Sequence, residues 1–241
     1  MEISYWSDVA CPFCYIGAAH MKEAMARVGI LDETELVMKA FELEPNAPKK
    51  AKAGSLAKRI AVSHELSKEE TKKYMARVER LGASEGLEMH MDKVVAVNTF
   101  DAHRLIKFAQ SRGDRAVTEA LIARLYAAYF ARGESVAETS VLTAIAGECG
   151  LPAGEAAEVL ASDRFAREVR ADEQEAAAGG VNSVPFFVFN DKYAVSGAMP
   201  VENLVEALTQ VLSEERPAAS AAPEGACGPE GCRLTDRNTQ Q

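Results

Sequence analysis

The 241-residue chain has no apolar run that approaches the roughly 18–20 residues a membrane-spanning helix requires. Basic residues are in the minority, with 27 lysines and arginines against 36 aspartates and glutamates and a formal net charge of −9. No basic stripe offsets this acidic excess, and no internal repeat is visible. We therefore predict a protein that acts on neither a membrane nor a nucleic acid.

Cysteine is also scarce, with five residues in the whole chain. The pattern of a secretory signal peptide is missing, because Glu2 stands where a basic segment would be and the first cysteine follows at position 11. With residue 1 taken as the native start, we expect a cytoplasmic protein. In that reducing compartment, a few cysteines favour catalysis or metal binding over a scaffold of disulfides.

Two of these cysteines form the run Cys11-Pro12-Phe13-Cys14 near the N-terminus. Apolar residues 2–6 predict a short strand, which a loop connects to a helix that begins at Pro12. The start of a helix stabilises an anion by about 0.3–2 kcal/mol, because its amides are unpaired and the helix dipole is positive there. We interpret the run as a redox-active dithiol–disulfide couple, with Cys11 as the nucleophile and Cys14 as the resolving thiol.

Half of a metal site, or a pair of inert core cysteines, would give the same spacing. A metal site needs two further ligands at suitable spacing, and none lies close to the pair in the sequence. We therefore predict no bound metal at Cys11 and Cys14.

The pattern along the rest of the chain predicts an α/β fold with a helical interruption. Residues 35–43 alternate well enough for a second strand, whereas residues 55–179 show helical patterns only. One of these helices begins with a capping box at residues 67–70 and is expected to end at Gly82. A β-hairpin over residues 186–197 and a last amphipathic helix follow, which gives the order β-α-β, helical insert, β-β-α.

Val184-Pro185 stands directly before the returning strand. A cis bond there would turn the proline toward the active site and leave the Val184 backbone free to pair with an extended substrate. The alternative is an ordinary proline at a strand entry, where a missing N–H is tolerated. We favour the substrate-binding role for both residues.

Five further residues are predicted to support the pair: Trp6, Asp8, Pro12, Phe13 and His103. Asp8 lies three residues before Cys11 and could move protons, but we favour a role in capping the loop and the first helical turn. Trp6 and Phe13 are expected to pack beside the site. His103 lies on an apolar helix face, and we favour a hydrogen-bonded core histidine over a catalytic one.

Several blocks of the sequence resemble the DsbA-like thioredoxin family, and most of all its FrnE-type cytoplasmic branch. Together they span about residues 1–215 and are far more specific than the cysteine pair alone. The blocks are residues 6–8 leading into 11–14, then 41–45, 98–105, 180–188 and 195–198.

The resemblance implies a thioredoxin fold interrupted by a large all-helical insertion domain. It also implies dithiol–disulfide exchange at Cys11 and Cys14, a cis proline at Pro185 and no bound cofactor. We predict a discontinuous thioredoxin-like domain over residues 1–48 and 180–215, with the helical insertion over residues 49–179.

Residues 216–241 are predicted to form a flexible tail, because 217–226 are rich in proline, alanine, serine and glycine. A linker of about 11 residues spans roughly 17–20 Å as a coil, so Cys227 and Cys232 could reach the thioredoxin face. We favour a second redox pair that exchanges with the first, and some FrnE-type proteins resemble this arrangement. A zinc site, weakened by having two ligands only, and a bystander tail are the alternatives.

We predict a thiol–disulfide oxidoreductase, similar to a disulfide isomerase, that acts on protein or small-thiol disulfides. Glutathione or a thioredoxin-type reductant would be its external redox partner. One alternative is a glutathione-dependent transferase or isomerase of the same fold, whose members typically carry serine in place of the first active-site cysteine. The other is a chaperone-like protein that binds partners through the apolar walls of the insert.

Overall fold

A four-stranded mixed sheet organises the computed structural model, which describes residues 1–215. The strands lie in the order β2-β1-β3-β4; β1 is parallel to β2 and antiparallel to β3, and β3 is antiparallel to β4. Their bounds are β1 Ile3–Ser7, β2 Leu36–Ala40, β3 Phe186–Phe189 and β4 Tyr193–Ser196.

The described residues also contain nine α-helices and one π-helical turn. The first helix connects β1 to β2, the last follows β4, and the others lie between β2 and β3. They are α1 Pro12–Arg27, α2 Ser55–Ser63, α3 Lys68–Ser84, α4 Phe100–Ser111, α5 Arg115–Tyr126, the π-helical turn Ala127–Arg132, α6 Thr139–Glu148, α7 Ala153–Ala161, α8 Ala166–Ala178 and α9 Val201–Glu215.

This architecture confirms the predicted α/β class and the order of its elements. β1 is buried at every position because it is a central strand covered on both faces. β2 is shorter than the predicted strand over residues 35–43, because the chain leaves the sheet after Ala40. The proposed domain boundaries at residues 48 and 179 stay a prediction.

The helical segment confirms the capping box at Ser67 and Glu70. The prediction that Gly82 ends this helix is wrong, because α3 continues to Ser84. Gly82 is buried in the last turn, where a Cβ atom would lie 2.9 Å from the Met89 sulfur. This glycine therefore permits a close contact rather than a helix end. None of the helices among residues 1–215 is long and apolar enough to cross a membrane.

Gly17 allows α1 to approach the loop before β3. A Cβ atom at this position would lie 2.7 Å from Cγ of Pro185 and 3.4 Å from the Ala198 backbone. Neither neighbour can move easily, since one is a proline ring and the other is main chain. The close packing of the first helix on the returning chain thus depends on the missing side chain.

Replacing Gly17 by alanine is expected to lower the free energy of unfolding by about 1–3 kcal/mol through overpacking. Denaturant titration measures this change. Gly154→Ala is the matched control, because a Cβ at this helical glycine meets no atom within 4 Å. The control should be neutral or stabilising, by up to about 1 kcal/mol. Equal stability of the two variants would contradict the packing argument.

Candidate active site

Cys11 is the N-cap of α1, at the end of a tight loop from β1. Its amide donates to the Asp8 carbonyl at 3.0 Å, which turns the chain into the helix. Pro12 occupies the first helical position, where a missing N–H costs nothing. The Cys14 amide then donates to the Cys11 sulfur at 3.3 Å. This helix-start amide, which also donates to the Cys11 carbonyl at 3.1 Å, thus faces the sulfur that is predicted to be the nucleophile.

The two sulfurs, both present as thiols, occupy different environments. Cys11 is 4% exposed and lines a pocket, whereas Cys14 is 0% exposed and lies behind it. Burial raises the pKa of the Cys14 thiol well above its ordinary value, and the neighbouring Cys11 raises it further. Hydrogen bonding from the Ser7 side chain and the Asp8 backbone acts on this pKa in the opposite direction. Cys11 is therefore the sulfur of the pair that lines the cavity, whereas Cys14 is enclosed; the roles of nucleophile and resolving thiol stay a prediction.

The loop before β3 lies against the nucleophile. The Val184–Pro185 peptide bond is cis, as the family resemblance implies. The Cys11 thiol donates to the Val184 carbonyl at 3.8 Å, and the Gly197 amide donates to the Pro185 carbonyl at 2.7 Å. Within residues 1–215 the Val184 amide makes no hydrogen bond. A backbone donor is therefore available beside the Cys11 sulfur.

A cavity of about 350 Å³ opens in front of Cys11. Its outer wall is supplied by α2 and α3 of the helical segment. Arg59 is the basic group of this wall and donates to the Glu44 carboxylate at 2.9 Å. The residues that line the cavity are mainly apolar and aromatic: Phe13, Leu43, Leu56, Ile60, Tyr74, Met91, Val97, Tyr129 and Val184.

Asp8 and His103 form a buried pair beside the active-site loop, each 1% exposed. Asp8 accepts hydrogen bonds from the Ala10 amide at 3.1 Å, the Leu43 amide at 2.8 Å and His103 Nε2 at 3.3 Å. Burial alone would raise the pKa of this carboxyl, but the hydrogen bonds and charge of His103 and the two amides hold it below its ordinary value. Through these hydrogen bonds, Asp8 connects the active-site loop to α4 and to the segment that follows β2.

The remaining predicted residues lie at different distances from the chemistry. Phe13 and Pro12 line the cavity. Trp6 lies on the opposite face of the sheet from Ser7, where its indole N–H donates to the Asp172 carbonyl at 2.8 Å. Its apolar cluster packs against Val184, so it supports the loop from behind. Cys227 and Cys232 lie outside the described residues.

No group of three or more potential metal ligands of the His, Cys, Asp or Glu type is found within residues 1–215.

Replacing Asp8 by asparagine is expected to destabilise the fold by about 2 kcal/mol at pH 7, because buried hydrogen bonds to a charged acceptor are lost. A carboxyl whose pKa is lowered by folding stabilises the protein above its unfolded pKa of about 4. That contribution disappears as the pH falls through the folded value. The stability difference between wild type and Asp8→Asn should therefore shrink on acidification below about pH 4.

Denaturant titrations at a series of pH values measure this difference. Asp32→Asn, at an exposed position, is the control and should stay within about 0.5 kcal/mol of wild type. A pH-independent gap between Asp8→Asn and wild type would show that ionisation of Asp8 does not stabilise the fold.

Comparisons with known proteins identify the family of this chain. The family described as DSBA-like thioredoxin domain matches residues 2–209. Among solved structures, a "probable DsbA oxidoreductase" from Streptomyces coelicolor is 37% identical, with a TM-score of 0.83, over 98% of this chain and 100% of that one. None of the curated proteins compared with the chain matches it.

Two more distant structures share the fold alone. The cytosolic disulfide reductase DsbM from Pseudomonas aeruginosa is 15% identical, with a TM-score of 0.62, over 89% of this chain and 100% of that one. A 2-hydroxychromene-2-carboxylate isomerase is 14% identical, with a TM-score of 0.66, over 89% and 97% of the two chains. The family match covers most of the chain, and with it the cysteine pair and the cis-proline loop. The chain therefore belongs to the DSBA-like thioredoxin family of oxidoreductases.

Proposed function

We propose that this protein is a thiol–disulfide oxidoreductase that exchanges disulfides through Cys11 and Cys14. The observation that carries the proposal is the placement of the two sulfurs. The Cys11 sulfur stands at a helix N-terminus, accepts from the Cys14 amide at 3.3 Å and lines a cavity, while Cys14 is buried directly behind it. The Cys11 thiol can therefore react with a substrate, and Cys14 can then resolve the mixed disulfide.

In the reductive direction, the Cys11 thiolate attacks one sulfur of a substrate disulfide. A Cys11–substrate disulfide forms, the substrate S–S bond breaks and one substrate thiolate leaves. Cys14 then attacks the Cys11 sulfur, which forms the Cys11–Cys14 disulfide and releases the second substrate thiol. The enzyme pair is oxidised by two electrons and the substrate is reduced by two. Reversal of these steps oxidises a dithiol.

We propose protein or small-thiol disulfides as substrates, held beside the cis-proline loop. The unpaired Val184 amide can donate to the backbone of an extended peptide, as in strand addition, while Pro185 packs against α1. Apolar side chains of the cavity would contact residues next to the substrate cysteine. No bound cofactor is needed, because glutathione or a thioredoxin-type reductant would return the pair to its starting state.

We further propose that the protein catalyses isomerase-like exchange, belongs to the FrnE-type branch and acts in the cytoplasm. Reduction potentials in the thioredoxin superfamily run from about −120 to −270 mV, a range that separates oxidases from reductases. A dithiol that has reduced a substrate must be returned to its thiol form by a reduced partner thiol, such as glutathione or a thioredoxin-type reductant. Cell fractionation and measurement of the Cys11/Cys14 potential test these parts.

A glutathione-dependent transferase or isomerase is the alternative enzyme of this fold. It would conjugate or isomerise a small electrophile only when glutathione is present. The presence of both Cys11 and Cys14 favours redox exchange over that chemistry. A chaperone-like role would leave suppression of aggregation intact when exchange is abolished.

We also propose that Cys227 and Cys232 are a second redox pair that exchanges with Cys11 and Cys14. The support is the six-residue segment Cys227-Gly228-Pro229-Glu230-Gly231-Cys232, whose glycines and proline permit a tight turn, and a preceding segment long enough to span roughly 17–20 Å.

Replacing Cys11 by serine is expected to lower insulin-disulfide reduction and refolding of a scrambled disulfide protein at least about 100-fold, because the attacking thiolate is lost. Cys14→Ser should instead accumulate a mixed disulfide at Cys11, which mass spectrometry detects. Cys149→Ser is the matched control, since it removes a partly exposed thiol elsewhere and should keep activity. Exchange that survives Cys11→Ser would refute the proposed function.

A Cys14→Ser variant of the full chain should trap a disulfide between Cys11 and either Cys227 or Cys232, because the resolving thiol is missing. Peptide mapping of the oxidised protein identifies this link. The control carries Cys227→Ser and Cys232→Ser in the same background and should lack it. Repeated failure to find the link, together with unchanged turnover of the double tail variant in the wild-type background, would leave the tail without a redox role.

A further inference from the structure

The helical segment supplies polar groups as well as apolar ones to the cavity in front of Cys11. Among the side chains that line this cavity, Arg59 from α2 is the only lysine or arginine within residues 1–215. Tyr129, from the π-helical turn, and Thr99, directly before α4, bring hydroxyl groups to the same cavity. Polar groups among mainly apolar neighbours are normally hydrogen-bonded, so the partners of these three side chains show what the cavity can bind.

The Tyr129 hydroxyl has no partner among residues 1–215. The residue is 1% exposed, and its ring packs edge-on against Phe130 with the centroids 4.9 Å apart, yet its hydroxyl makes no hydrogen bond in that range. The enclosed polar side-chain atoms without a partner there are Thr143 Oγ1 and Glu173 Oε1. The Tyr129 hydroxyl is therefore not enclosed, and it opens on the cavity that the residue lines. Burial raises the pKa of this phenol, so it carries a proton to donate at neutral pH.

Thr99 repeats this arrangement. The residue is 3% exposed, and its hydroxyl neither caps α4 nor makes another hydrogen bond within the part of the chain that the structure describes. A hydroxyl that is neither paired nor enclosed opens on the cavity in the same way. Water can reach both hydroxyl groups in the free protein, and a substrate group that takes the place of water must hydrogen-bond to them in turn.

Arg59 has donors that its ion pair does not use. Its Nε atom donates to Glu44 Oε1 at 2.9 Å, and its Nη2 atom contacts Glu44 Oε2. A guanidinium has five N–H donors, so this ion pair uses two of them and leaves three. Glu44 follows Leu43, whose amide donates to Asp8 at 2.8 Å. The ion pair therefore holds the guanidinium at the wall of the cavity that Cys11 also lines.

The carboxylates that line the cavity are already occupied. Asp8 accepts from two backbone amides and from His103, and Glu44 is paired with Arg59. Within residues 1–215 these are the only aspartate and glutamate of the cavity wall, so the unused N–H and O–H groups need an acceptor from a ligand. A carboxylate suits a guanidinium best, because its two oxygens match the spacing of the N–H groups and the opposite charges attract.

We propose that Arg59 and Tyr129 are specificity-determining residues, which bind a carboxylate on a polypeptide substrate next to the cysteine that Cys11 attacks. The preferred substrates are then protein or peptide disulfides with aspartate or glutamate beside the cysteine, and Thr99 offers a further hydroxyl to the same carboxylate. The inference rests on the proposed disulfide exchange and deepens it by naming the substrate class. The carboxylate stays ionised and forms no covalent bond, so the bonds that form and break in the exchange are unchanged.

The charge of the outer wall favours an acidic polypeptide over a small thiol. Residues 49–93, which include α2 and α3, contain 11 lysines and arginines and seven aspartates and glutamates, whereas the whole chain has a formal net charge of −9. Among residues 1–215, Lys49 and Arg59 are the only two of these basic residues that form ion pairs. The other nine leave a positive field that attracts an acidic segment longer than one carboxylate.

Reduction of matched peptide disulfides measures this preference. Each substrate is a symmetric peptide disulfide, and the three substrates differ only in the residues on both sides of the cysteine, which are glutamate, glutamine or lysine. The reference protein is the reduced full chain with Cys149→Ser, Cys227→Ser and Cys232→Ser, so that only the active-site pair reacts. Acid quenching and chromatography of the released peptide thiol give a second-order rate constant for each substrate. The ratio of the glutamate to the glutamine rate constant cancels any general change in activity.

The reference protein is expected to reduce the glutamate peptide about tenfold faster than the glutamine peptide, as hydrogen bonds to a charged group predict, and the lysine peptide most slowly. Arg59→Gln should bring the ratio to about one, and Tyr129→Phe should lower it about threefold. Because Arg59→Gln leaves Glu44 without its partner, the double variant with Glu44→Gln is measured too, and its ratio should also be about one. Raising the salt from about 50 to about 500 mM should lower the reference ratio.

Arg112→Gln and Tyr193→Phe are the matched controls. Arg112 pairs with Glu155, Tyr193 bonds to Glu214, and neither Arg112 nor Tyr193 lines the cavity. Both variants should keep the reference ratio, which shows that the loss of an arginine or of a tyrosine hydroxyl elsewhere does not change the preference.

The inference is overturned if the reference ratio is about one, or if the double variant keeps the tenfold ratio. If the Arg59 variants do not fold, an unchanged ratio in Tyr129→Phe overturns it. Glutathione disulfide, which also carries carboxylates, is the small-thiol arm: slower reduction of it by Arg59→Gln with an unchanged peptide ratio would overturn the polypeptide assignment. A reference protein that releases no thiol from any of these disulfides would instead refute the proposed exchange itself.

Discussion

The antiparallel pairing of β1 with β3 is the contact on which the active site depends. It places Ile3 opposite Phe189 and Trp6 opposite Phe186, so the end of β1 meets the start of β3. Cys11 follows the first strand through a short loop and Val184 immediately precedes the second. The register therefore sets the 3.8 Å contact between the Cys11 sulfur and the Val184 carbonyl. A slip by one residue would turn every side chain of β3 to the other face and separate the loop from the helix start.

Burial places the two identical side chains, Cys11 and Cys14, in different environments. Three residues of separation on a helix are one turn, which is enough to put Cys11 at the cavity and Cys14 beneath it. Desolvation penalises a charge on Cys14 and raises the pKa of its thiol. A resolving thiol that stays protonated until the mixed disulfide forms would not compete with the nucleophile for substrate.

Local sequence patterns were sufficient for the order of the elements along the chain, the hairpin and the capping box, because each depends on neighbours in the chain. The contacts that shape the site were beyond those patterns. Asp8 was expected to cap its own loop, yet its other partners, Leu43 and His103, lie 35 and 95 positions away. Gly82 looked like a helix end because the sequence does not show that Met89 folds back against it.

The helical segment between β2 and β3 contributes to both sides of the cysteine pair. Its α2 and α3 form the outer wall of the cavity through Arg59, Ile60 and Tyr74. From the opposite side, α4 brings His103 to Asp8 and α5 brings Tyr126 to Ser7. The helical segment therefore contributes residues to the cavity wall and also to the buried side of the cysteine pair. Since it supplies groups on the buried side of the pair, proteins that share the same Cys-Pro-Phe-Cys run but differ in this segment would not be expected to share the reactivity of the second sulfur.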